Sequence, residues 1–270
     1  MKVALFIVHY SPLENRRMQL EESTRKLKIP TFWVTEDSVK FNESLFSGDY
    51  QPFGVSQRLI AMDRSNNSRS IVKSRLLVRI EGFFLLLASL FLKRKMLYLT
   101  DNPFPKKEPY KILELSLMHY QCLKMACDLQ LDWALVVEDD AIIDISNVEK
   151  VIQNLDSLKF SKPAWYNLSA GANLNRTKSD PRPDFLGMFR IRPWATRCSS
   201  GYLVNSKFFY SAQKLLECNG IPNWTAIDVI FQIIMRKVRA VVFWQHPASI
   251  MQGSELGIYP SNLKKTKSHD

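Results

Sequence analysis

The amino-acid sequence predicts an α/β fold, and three features point to it. Apolar runs at Val3–Val8 and Thr31–Val34 have the length of buried strands, and Glu14–Leu27 between them has the apolar spacing of a helix. A strand, a helix and a second strand at this minimal length imply two parallel strands joined by a right-handed crossover. A later apolar run, Ala134–Val137 behind Trp133, is a third candidate for a buried strand. With 270 residues, 46% of them hydrophobic, the chain is long enough for one large α/β domain or two small ones.

Helices and strands continue to alternate along the rest of the chain. Ile112–Leu129 has the spacing of a helix with one apolar stripe. Ser206 is a candidate N-cap for another helix, which ends near Gly220, and Asn223 or Thr225 can cap the next one. The remaining predicted elements are a helix at Val148–Leu158 and strands at Pro163–Leu168, Ser199–Val204 and Val238–Trp244.

The N-terminal residues resemble the start of a secretion signal, because Lys2 is followed by a short apolar run. The run ends at His9 and Pro12 without a small-residue cleavage site, which favours a first buried strand instead. The four cysteines lack metal-finger spacing and indicate reduced thiols. We therefore expect a cytoplasmic protein, with peripheral placement on the inner face of the membrane as a further possibility.

The charge of the chain predicts anionic partners. The formal net charge is +11 and the pI is near 9.5, which suits phosphate groups, acidic lipid or nucleic acid. Nucleic acid is the least favoured of the three, since the positive charge is dispersed and no basic, aromatic-rich motif of a known module is present.

The stretch WALVVEDDAIID contains the acidic residues that predict a binding site. Glu138, Asp139 and Asp140 directly follow the apolar run behind Trp133, so three acids stand at the end of a predicted buried strand. Clustered carboxylates repel one another and lose solvation, and they are stable together only with a cation, basic partners or open water. Mg²⁺ or Mn²⁺ suits such oxygen ligands, and in open α/β sheets ligands gather at the carboxyl ends of the strands. The alternative is an acidic turn that faces solvent.

A basic and apolar segment at about 68–99 interrupts this pattern. Its centre, Gly82–Leu92, is apolar or small but falls short of the roughly 20 residues that span a membrane. One interpretation is a helix that lies on an anionic membrane surface, with the flanking cations on lipid phosphates. The other is a buried core helix with a basic exit. The flanking cations are Arg69, Lys73, Arg75, Arg79, Lys93, Arg94 and Lys95.

Two further segments are predicted to be irregular. Ala170–Arg197 is rich in Gly, Asn, Pro and Arg and is too long for an ordinary connection, which is typical of a functional lid or of a solvated basic loop. The C-terminal residues 263–270 are basic and are predicted to form a mobile tail.

The pattern resembles glycosyltransferase family 25, the group that contains bacterial lipooligosaccharide galactosyltransferases. The matching segments are the opening strand with Arg16 and Arg17, the turn IPTFWV, WALVVEDDAII, SSGYLVNSKFFYSAQKLL and IPNWTAID. Ser116 and His119 stand where the family has a Ser-His pair, although here two residues separate them. The segment at about 68–99 has no counterpart in the family.

The resemblance implies a GT-A-like, Rossmann-like fold: a single domain over 1–262 with a mixed, mostly parallel sheet flanked by helices. It implies a nucleoside-diphosphate sugar as donor, a UDP-sugar above all, and a divalent metal, Mn²⁺ or Mg²⁺, held by an Asp-x-Asp-like motif. Residue by residue, Glu138 and Asp140 would hold the metal and Asp139 would lie beside the donor. The family inverts the sugar's configuration, so a further carboxylate takes the acceptor's proton, and Asp228 in the IPNWTAID segment is the candidate.

Other residues are assigned to the same site with less support. Arg16 and Arg17 are either solvated surface residues or contacts of the donor's phosphates or nucleotide, and His246 is a further candidate metal ligand. His119 is either a donor-site residue or a packed, hydrogen-bonded side chain of its helix. Residues predicted to line the mouth of the site are Gln252, Gly253 and Ser254.

These expectations favour a metal-dependent, inverting glycosyltransferase that moves a hexose such as galactose to a glycan or glycolipid acceptor in lipopolysaccharide or surface-glycan biosynthesis. The alternative is a non-catalytic protein that binds glycans or a membrane surface on a degenerate scaffold of the same kind. The altered Ser116 and His119 spacing and the extra segment at about 68–99 motivate that alternative.

Overall fold

A computed structural model describes residues 1–39, 109–157, 161–170, 183–184, 186–191, 193, 199–220 and 227–260. The predicted segment at about 68–99, most of the predicted lid and the tail at 263–270 lie outside these residues. Among the helices within the described ranges, none has the length and apolar character needed to cross a bilayer.

A mixed sheet of seven strands forms the centre of the molecule, in the order β2-β1-β3-β7-β5-β8-β6. Two further short strands pair with each other: β4 (Ala141–Ile143) and β9 (Ile250–Gln252). The strands of the large sheet are β1 (Val3–His9), β2 (Thr31–Thr35), β3 (Trp133–Glu138), β5 (Ala164–Asn167), β6 (Met188–Ile191), β7 (Gly201–Asn205) and β8 (Val241–Gln245).

Five of the seven strands run in the same direction. β1 is parallel to β2 and β3, and β5 is parallel to β8. β7 lies antiparallel between β3 and β5, which therefore point the same way, and β6 is antiparallel to β8 at the edge. The predicted α/β architecture, a mixed and mostly parallel sheet, is confirmed.

Five α-helices within the described residues cover the two faces of the sheet. α1 (Glu14–Thr24) and α3 (Ile145–Gln153) pack on the face that carries Leu5 and Leu135. The opposite face carries Phe6 and Val136 and packs against the other three helices. These are α2 (Pro109–Asp128), α4 (Ser206–Asn219) and α5 (Ile227–Lys237).

Burial on both faces explains why the central strands are continuous apolar runs. All seven residues of β1 are buried, and alternate residues contribute to the two cores. Apolar area removed from water stabilises the fold by about 25 cal/mol per Å². The first strand is therefore buried, as the N-terminal sequence predicted, and it lies between β2 and β3.

Some predicted boundaries are wrong, and one segment predicted to be irregular contains a strand. The N-cap of α4 is Asn205 and not Ser206, because Asn205 has extended backbone angles and its Oδ1 accepts a hydrogen bond of 3.0 Å from the Phe208 N–H. The late strand begins at Val241 and not at Val238, since α5 continues to Lys237. Met188–Ile191, inside the predicted lid, forms edge strand β6.

Among the described cysteines, Cys122, Cys127 and Cys218 are free. Burial raises the pKa of Cys122, and burial together with nearby acids raises that of Cys127 to about 12. These two thiols pack in the core as protonated, unreactive groups. Cys198 lies outside the described residues.

Candidate active site at the carboxyl ends of the strands

The acidic triplet lies where five parallel strands end. β3 ends at Glu138, next to the end of β1 at His9, and the two strands are in register from Val3 with Trp133 to Val8 with Glu138. Glu138 falls on the face covered by α2, because it continues the alternation of Ala134 and Val136. Asp139 instead contacts His9 and Arg16 on the α1 side. The three acids are thus divided between the two faces of the sheet.

The carboxylate of Asp139 is bound by side-chain and backbone groups of the protein. Its Oδ1 accepts a hydrogen bond of 2.9 Å from Arg16 Nη1. Its Oδ2 accepts one of 3.0 Å from the Tyr10 N–H and lies 3.2 Å from His9 Nδ1. Both Asp139 and Arg16 are buried. The carboxylate predicted to lie beside the donor is therefore the centre of an ion pair that joins β1, α1 and β3.

The two neighbouring arginines of α1 have different surroundings. Arg16 also donates to the Pro260 carbonyl at 2.6 Å, and its guanidinium carbon lies 4.9 Å from the centre of the Tyr259 ring. Arg17 is half exposed, where it pairs with Glu21 at 2.9 Å and lies over Trp33. The structure brings Arg16 to the acidic triplet and places Arg17 on the surface of the helix.

A cavity of about 500 Å³ opens beside Arg16. The first turn of α1 lines it on one side, and Tyr259 and Pro260 line it on the other. No side-chain hydrogen bond caps this helix end at Leu13, and the Arg16 N–H donates to the Leu13 carbonyl. A cavity of this size and a helix N-terminus suit a small anionic ligand.

Asp140 is held by the segment that follows β9. Ser254 Oγ donates to Asp140 Oδ2 at 2.5 Å, and the Gly253 N–H donates to the Asp140 carbonyl at 2.7 Å. Its other carboxylate oxygen, Oδ1, is buried and has no hydrogen-bond partner in the described part of the chain. Burial raises the pKa of Asp140, and the charges of Glu138 and Asp139 add to that rise, while the Ser254 hydrogen bond opposes it.

Gly253 is required at its position by a close approach. A Cβ there would lie 2.9 Å from the Asp140 carbonyl oxygen and would also collide with the Tyr259 ring. Only glycine lets this backbone approach Asp140 so closely. Gly253 and Ser254 therefore contact Asp140 of the acidic triplet, whereas Gln252 pairs in register with Ala141 between β9 and β4.

Glu138 is held from the α2 side. Ser199 Oγ donates to Glu138 Oε1 at 3.1 Å, and His119 Nε2 lies 3.4 Å from the same oxygen. The other ring nitrogen, Nδ1, lies 3.0 Å from the Tyr202 hydroxyl. His119 is completely buried, so it is the packed, hydrogen-bonded histidine of the two alternatives.

Asp228 lies in the first turn of α5, as predicted, and is partly buried. Its charge is among the causes that raise the pKa of Tyr202 well above 10.0, after burial, Cys122 and Glu138. Asp228 therefore lies on the same face of the sheet as Glu138 and within electrostatic reach of the same tyrosine.

His246 does not join the predicted metal ligands. It is exposed at the end of β8, its ring tilts against Trp244, and its N–H donates to the Gly187 carbonyl. β8 is three places from β3 in the sheet, a separation of about 14 Å at the usual strand spacing. In the described residues no group of three or more His, Cys, Asp or Glu side chains is arranged to hold a metal. The structure therefore does not bring His246 together with Glu138 and Asp140.

Four residues of the site were not predicted from the sequence: His9, Ser199, Tyr202 and Tyr259. The position of His9 at the end of a buried strand next to β3 was a usable signal, because carboxyl ends of parallel strands meet at one edge. Nothing in the local sequence around Ser199, Tyr202 or Tyr259 predicts that these residues belong to the site. Tyr202 reads as an apolar strand residue, and Tyr259 follows a segment without periodicity.

Comparison with known proteins adds little to this geometry. No family model and no curated protein matches the chain. One solved structure with some likeness is described as the "crystal structure of a glycosyltransferase involved in the glycosylation of the major capsid of PBCV-1". It is 8% identical, the match covers 93% of this chain and 94% of that chain, and the TM-score is 0.35. A likeness this weak assigns neither a family nor an activity to the chain.

Proposed function

We propose that this protein is a metal-dependent glycosyltransferase that moves a hexose, such as galactose, from a nucleoside-diphosphate donor to a glycan acceptor. The resemblance of WALVVEDDAII and IPNWTAID to family 25 supports a UDP-sugar donor and inversion of the sugar's configuration. The acidic edge of the sheet supports the metal dependence. A lipid-linked acceptor of surface-glycan biosynthesis fits the basic character of the chain.

The observation that supports this proposal most directly is the burial and the charged surroundings of the Asp140 carboxylate. Its Oδ1 is buried without a hydrogen-bond partner among the described residues, and its pKa is raised by burial and by the charges of Glu138 and Asp139. An unpaired buried carboxylate oxygen destabilises the fold, and a divalent cation would reverse that effect. Glu138 and Asp140 are the two residues that would hold Mn²⁺ or Mg²⁺.

When bound, the cation neutralises charge on the departing nucleoside diphosphate. The residues of the chain supply the rest. The cavity at the start of α1 would offer the donor the N-terminus of that helix and the Tyr259 ring, with Glu14 also in its lining. Arg16 contributes positive charge there, although part of it is neutralised by Asp139.

Asp228 is the proposed general base. In the transfer step the acceptor oxygen forms a bond to the anomeric carbon, the bond from that carbon to the diphosphate oxygen breaks, and the acceptor's hydroxyl proton passes to the Asp228 carboxylate. The diphosphate leaves with the bonding electron pair. Because attack comes from the side opposite the leaving group, the configuration inverts.

A screen of nucleotide sugars with and without Mn²⁺ tests the proposal, with release of nucleoside diphosphate as the readout. We expect turnover of one UDP-hexose that depends on the metal and is abolished by Asp140→Asn. The matched control is Glu255→Gln, an exposed acid of the same segment, which should keep full turnover. Turnover by Asp140→Asn at the wild-type rate would remove the metal role.

The screen also separates the non-catalytic alternative. If no donor turns over, thermal melting with Mn²⁺ and a panel of nucleoside diphosphates decides, because a ligand of the native state raises its midpoint. The absence of any shift would favour a protein that binds glycans or a membrane surface.

A further inference from the structure

The loop between β1 and α1, residues 10–13, forms one wall of the cavity beside Arg16. Pro12 and Leu13 line that cavity, and the next residue, Glu14, begins α1 and lines it as well. The shape of the cavity therefore depends on the conformation of this loop. A preformed loop offers a ligand a ready surface, whereas a loop that is free to move has to be ordered when the ligand binds.

Two carboxylates bind the backbone of the loop. Asp139 Oδ2 accepts a hydrogen bond of 3.0 Å from the Tyr10 N–H. The Ser11 N–H lies 3.1 Å from Glu36 Oε1 and 3.0 Å from Oε2, and the Ser11 hydroxyl donates to Oε1 at 2.5 Å. Hydrogen bonds to an ionised acceptor are about twice as strong as neutral ones. Glu36 therefore binds both hydrogen-bond donors of Ser11, in the middle of the loop.

The sheet and a short capped turn determine the position of Glu36. β1 and β2 are parallel and pair His9 with Thr35, so the residues that follow the two strands meet at the same edge. Glu36 begins a single 3₁₀ turn, Glu36–Ser38, directly after β2. Ser38 Oγ donates to the Thr35 carbonyl at 2.6 Å and accepts the Thr35 N–H at 3.0 Å. This reciprocal cap fixes the turn that carries the Glu36 side chain.

We propose that Glu36 is a positioning residue for the cavity wall. Its carboxylate holds Ser11, and the loop of residues 10–13 thereby keeps the conformation that lines the cavity. The nucleotide of the donor then meets a wall that is already ordered, so less conformational freedom is lost when it binds. This last step rests on the proposed function, whereas the contact between Glu36 and Ser11 does not.

Amide hydrogen exchange without any ligand tests whether Glu36 holds the loop. In Glu36→Ala the Ser11 and Leu13 amides should exchange at least about tenfold faster than in the wild type, because local opening of the loop becomes easier. The matched control is Asp37→Ala, which changes an exposed acid of the same turn and should leave the exchange of both amides unchanged. Equal exchange rates in the two variants would overturn the proposal.

Calorimetry with UDP and Mn²⁺ tests the consequence for the cavity. If the freed loop keeps the required conformation about a tenth of the time, Glu36→Ala binds UDP about tenfold more weakly. The value of kcat at saturating donor should stay within about twofold of the wild type, because the lost interaction contributes equally to substrate and transition-state binding. Wild-type UDP affinity in Glu36→Ala would overturn the proposal even if the melting temperature falls.

Glu36→Gln tests whether the hydrogen bond to Ser11 is responsible. Glutamine keeps an acceptor oxygen for the Ser11 N–H, and its amide can donate to the Ser11 hydroxyl oxygen, so this variant should recover most of the UDP affinity that Glu36→Ala loses. No recovery would mean that the charge of Glu36 acts without the contact to Ser11, and it would overturn the proposed role.

A double variant shows whether Glu36 acts through Ser11. If it does, adding Ser11→Ala to Glu36→Ala changes UDP affinity by less than about twofold, because the effects of residues in direct contact are not additive. A loss as large as the one that Ser11→Ala causes in the wild type would mean independent action and would overturn the proposal. If the wild type binds no nucleoside diphosphate, the proposed function fails, while hydrogen exchange still decides whether Glu36 positions the loop.

Discussion

Replacement of Asp139 by asparagine tests whether this acid is structural or belongs to the donor site. Asp139→Asn keeps the shape of the side chain and an acceptor for the Tyr10 N–H, but it removes the charge that faces Arg16 at 2.9 Å. The guanidinium of Arg16 then stays buried with the Pro260 carbonyl and the Tyr259 ring as its remaining partners.

The magnitude follows from the burial of the pair. At a charge separation of about 4 Å and an effective dielectric constant of about 20, the attraction is about 4 kcal/mol. Measured losses for breaking one side of a buried pair are about 3–5 kcal/mol. We expect Asp139→Asn to lower the free energy of unfolding by about 3 kcal/mol, a decrease of roughly 6–12 °C in melting temperature for a chain of this size.

Equilibrium unfolding in urea is the assay, with the midpoint compared at constant slope. The matched control is Glu21→Gln, which breaks the exposed pair with Arg17 on the same helix, and such pairs contribute about 0–1 kcal/mol. Adding Arg16→Met to Asp139→Asn removes the unpaired cation and should restore part of the loss. A stability of Asp139→Asn close to that of Glu21→Gln, with weakened donor binding, would refute the structural role and restore Asp139 to the donor site.

Three further predictions concern the edges of the site. Gly253→Ala places a Cβ against the Asp140 carbonyl and the Tyr259 ring, so it should destabilise the protein by about 1–3 kcal/mol and weaken Mn²⁺ binding, measured by urea unfolding and calorimetry. Asp144→Ala removes the N-cap of α3 and should cost about 1 kcal/mol of unfolding free energy at neutral pH. Asp228→Asn should lower kcat for sugar transfer by about 10²–10⁴-fold and leave donor affinity unchanged.

The pH dependence of the Asp144 prediction has a definite sign. Hydrogen bonds from Ser146 and Asn147 lower the pKa of Asp144 below 3.8. Its stabilising effect is therefore present at neutral pH and is lost as the pH falls through that lowered pKa. The difference between wild type and Asp144→Ala should shrink in strongly acidic solution, whereas the difference between Asp144→Asn and Asp144→Ala, both of which lack a titrating group at this position, should not show this change.

The opposite results for Gly253→Ala and Asp228→Asn would contradict these predictions. Unchanged stability and Mn²⁺ binding in Gly253→Ala would mean that the segment after β9 is not fixed against Asp140. A wild-type transfer rate in Asp228→Asn would remove Asp228 from the mechanism, and the base would have to be sought elsewhere.

Much of the fold is predictable from the sequence because its strands are buried on both faces. β1 and β3 read as unbroken apolar runs, and the parallel pairing of β1 with β2 follows from the helix that separates them. The edge strand Met188–Ile191 was missed, since four residues within a segment rich in arginine and proline have no visible period. The strands β4 and β9 were missed because three residues are too few to show a period.

The site was predictable only in part. The position of Glu138, Asp139 and Asp140 at a strand end follows from local sequence. Their separation onto two faces depends on partners far along the chain: Arg16 is 123 residues from Asp139, and Ser254 is 114 residues from Asp140. No local pattern carries such information, because it arises when the whole sheet assembles.

The short segment 253–260 determines when in synthesis the acidic edge becomes complete. A growing chain that has not yet reached it can form β1 beside β3, but Asp140 then lacks the Ser254 hydroxyl, and Arg16 lacks both the Tyr259 ring and the Pro260 carbonyl. The ribosome therefore delivers these parts of the site after every strand of the described residues. A chain that stops before this segment lacks the groups that contact Asp140 and Arg16 in the complete protein.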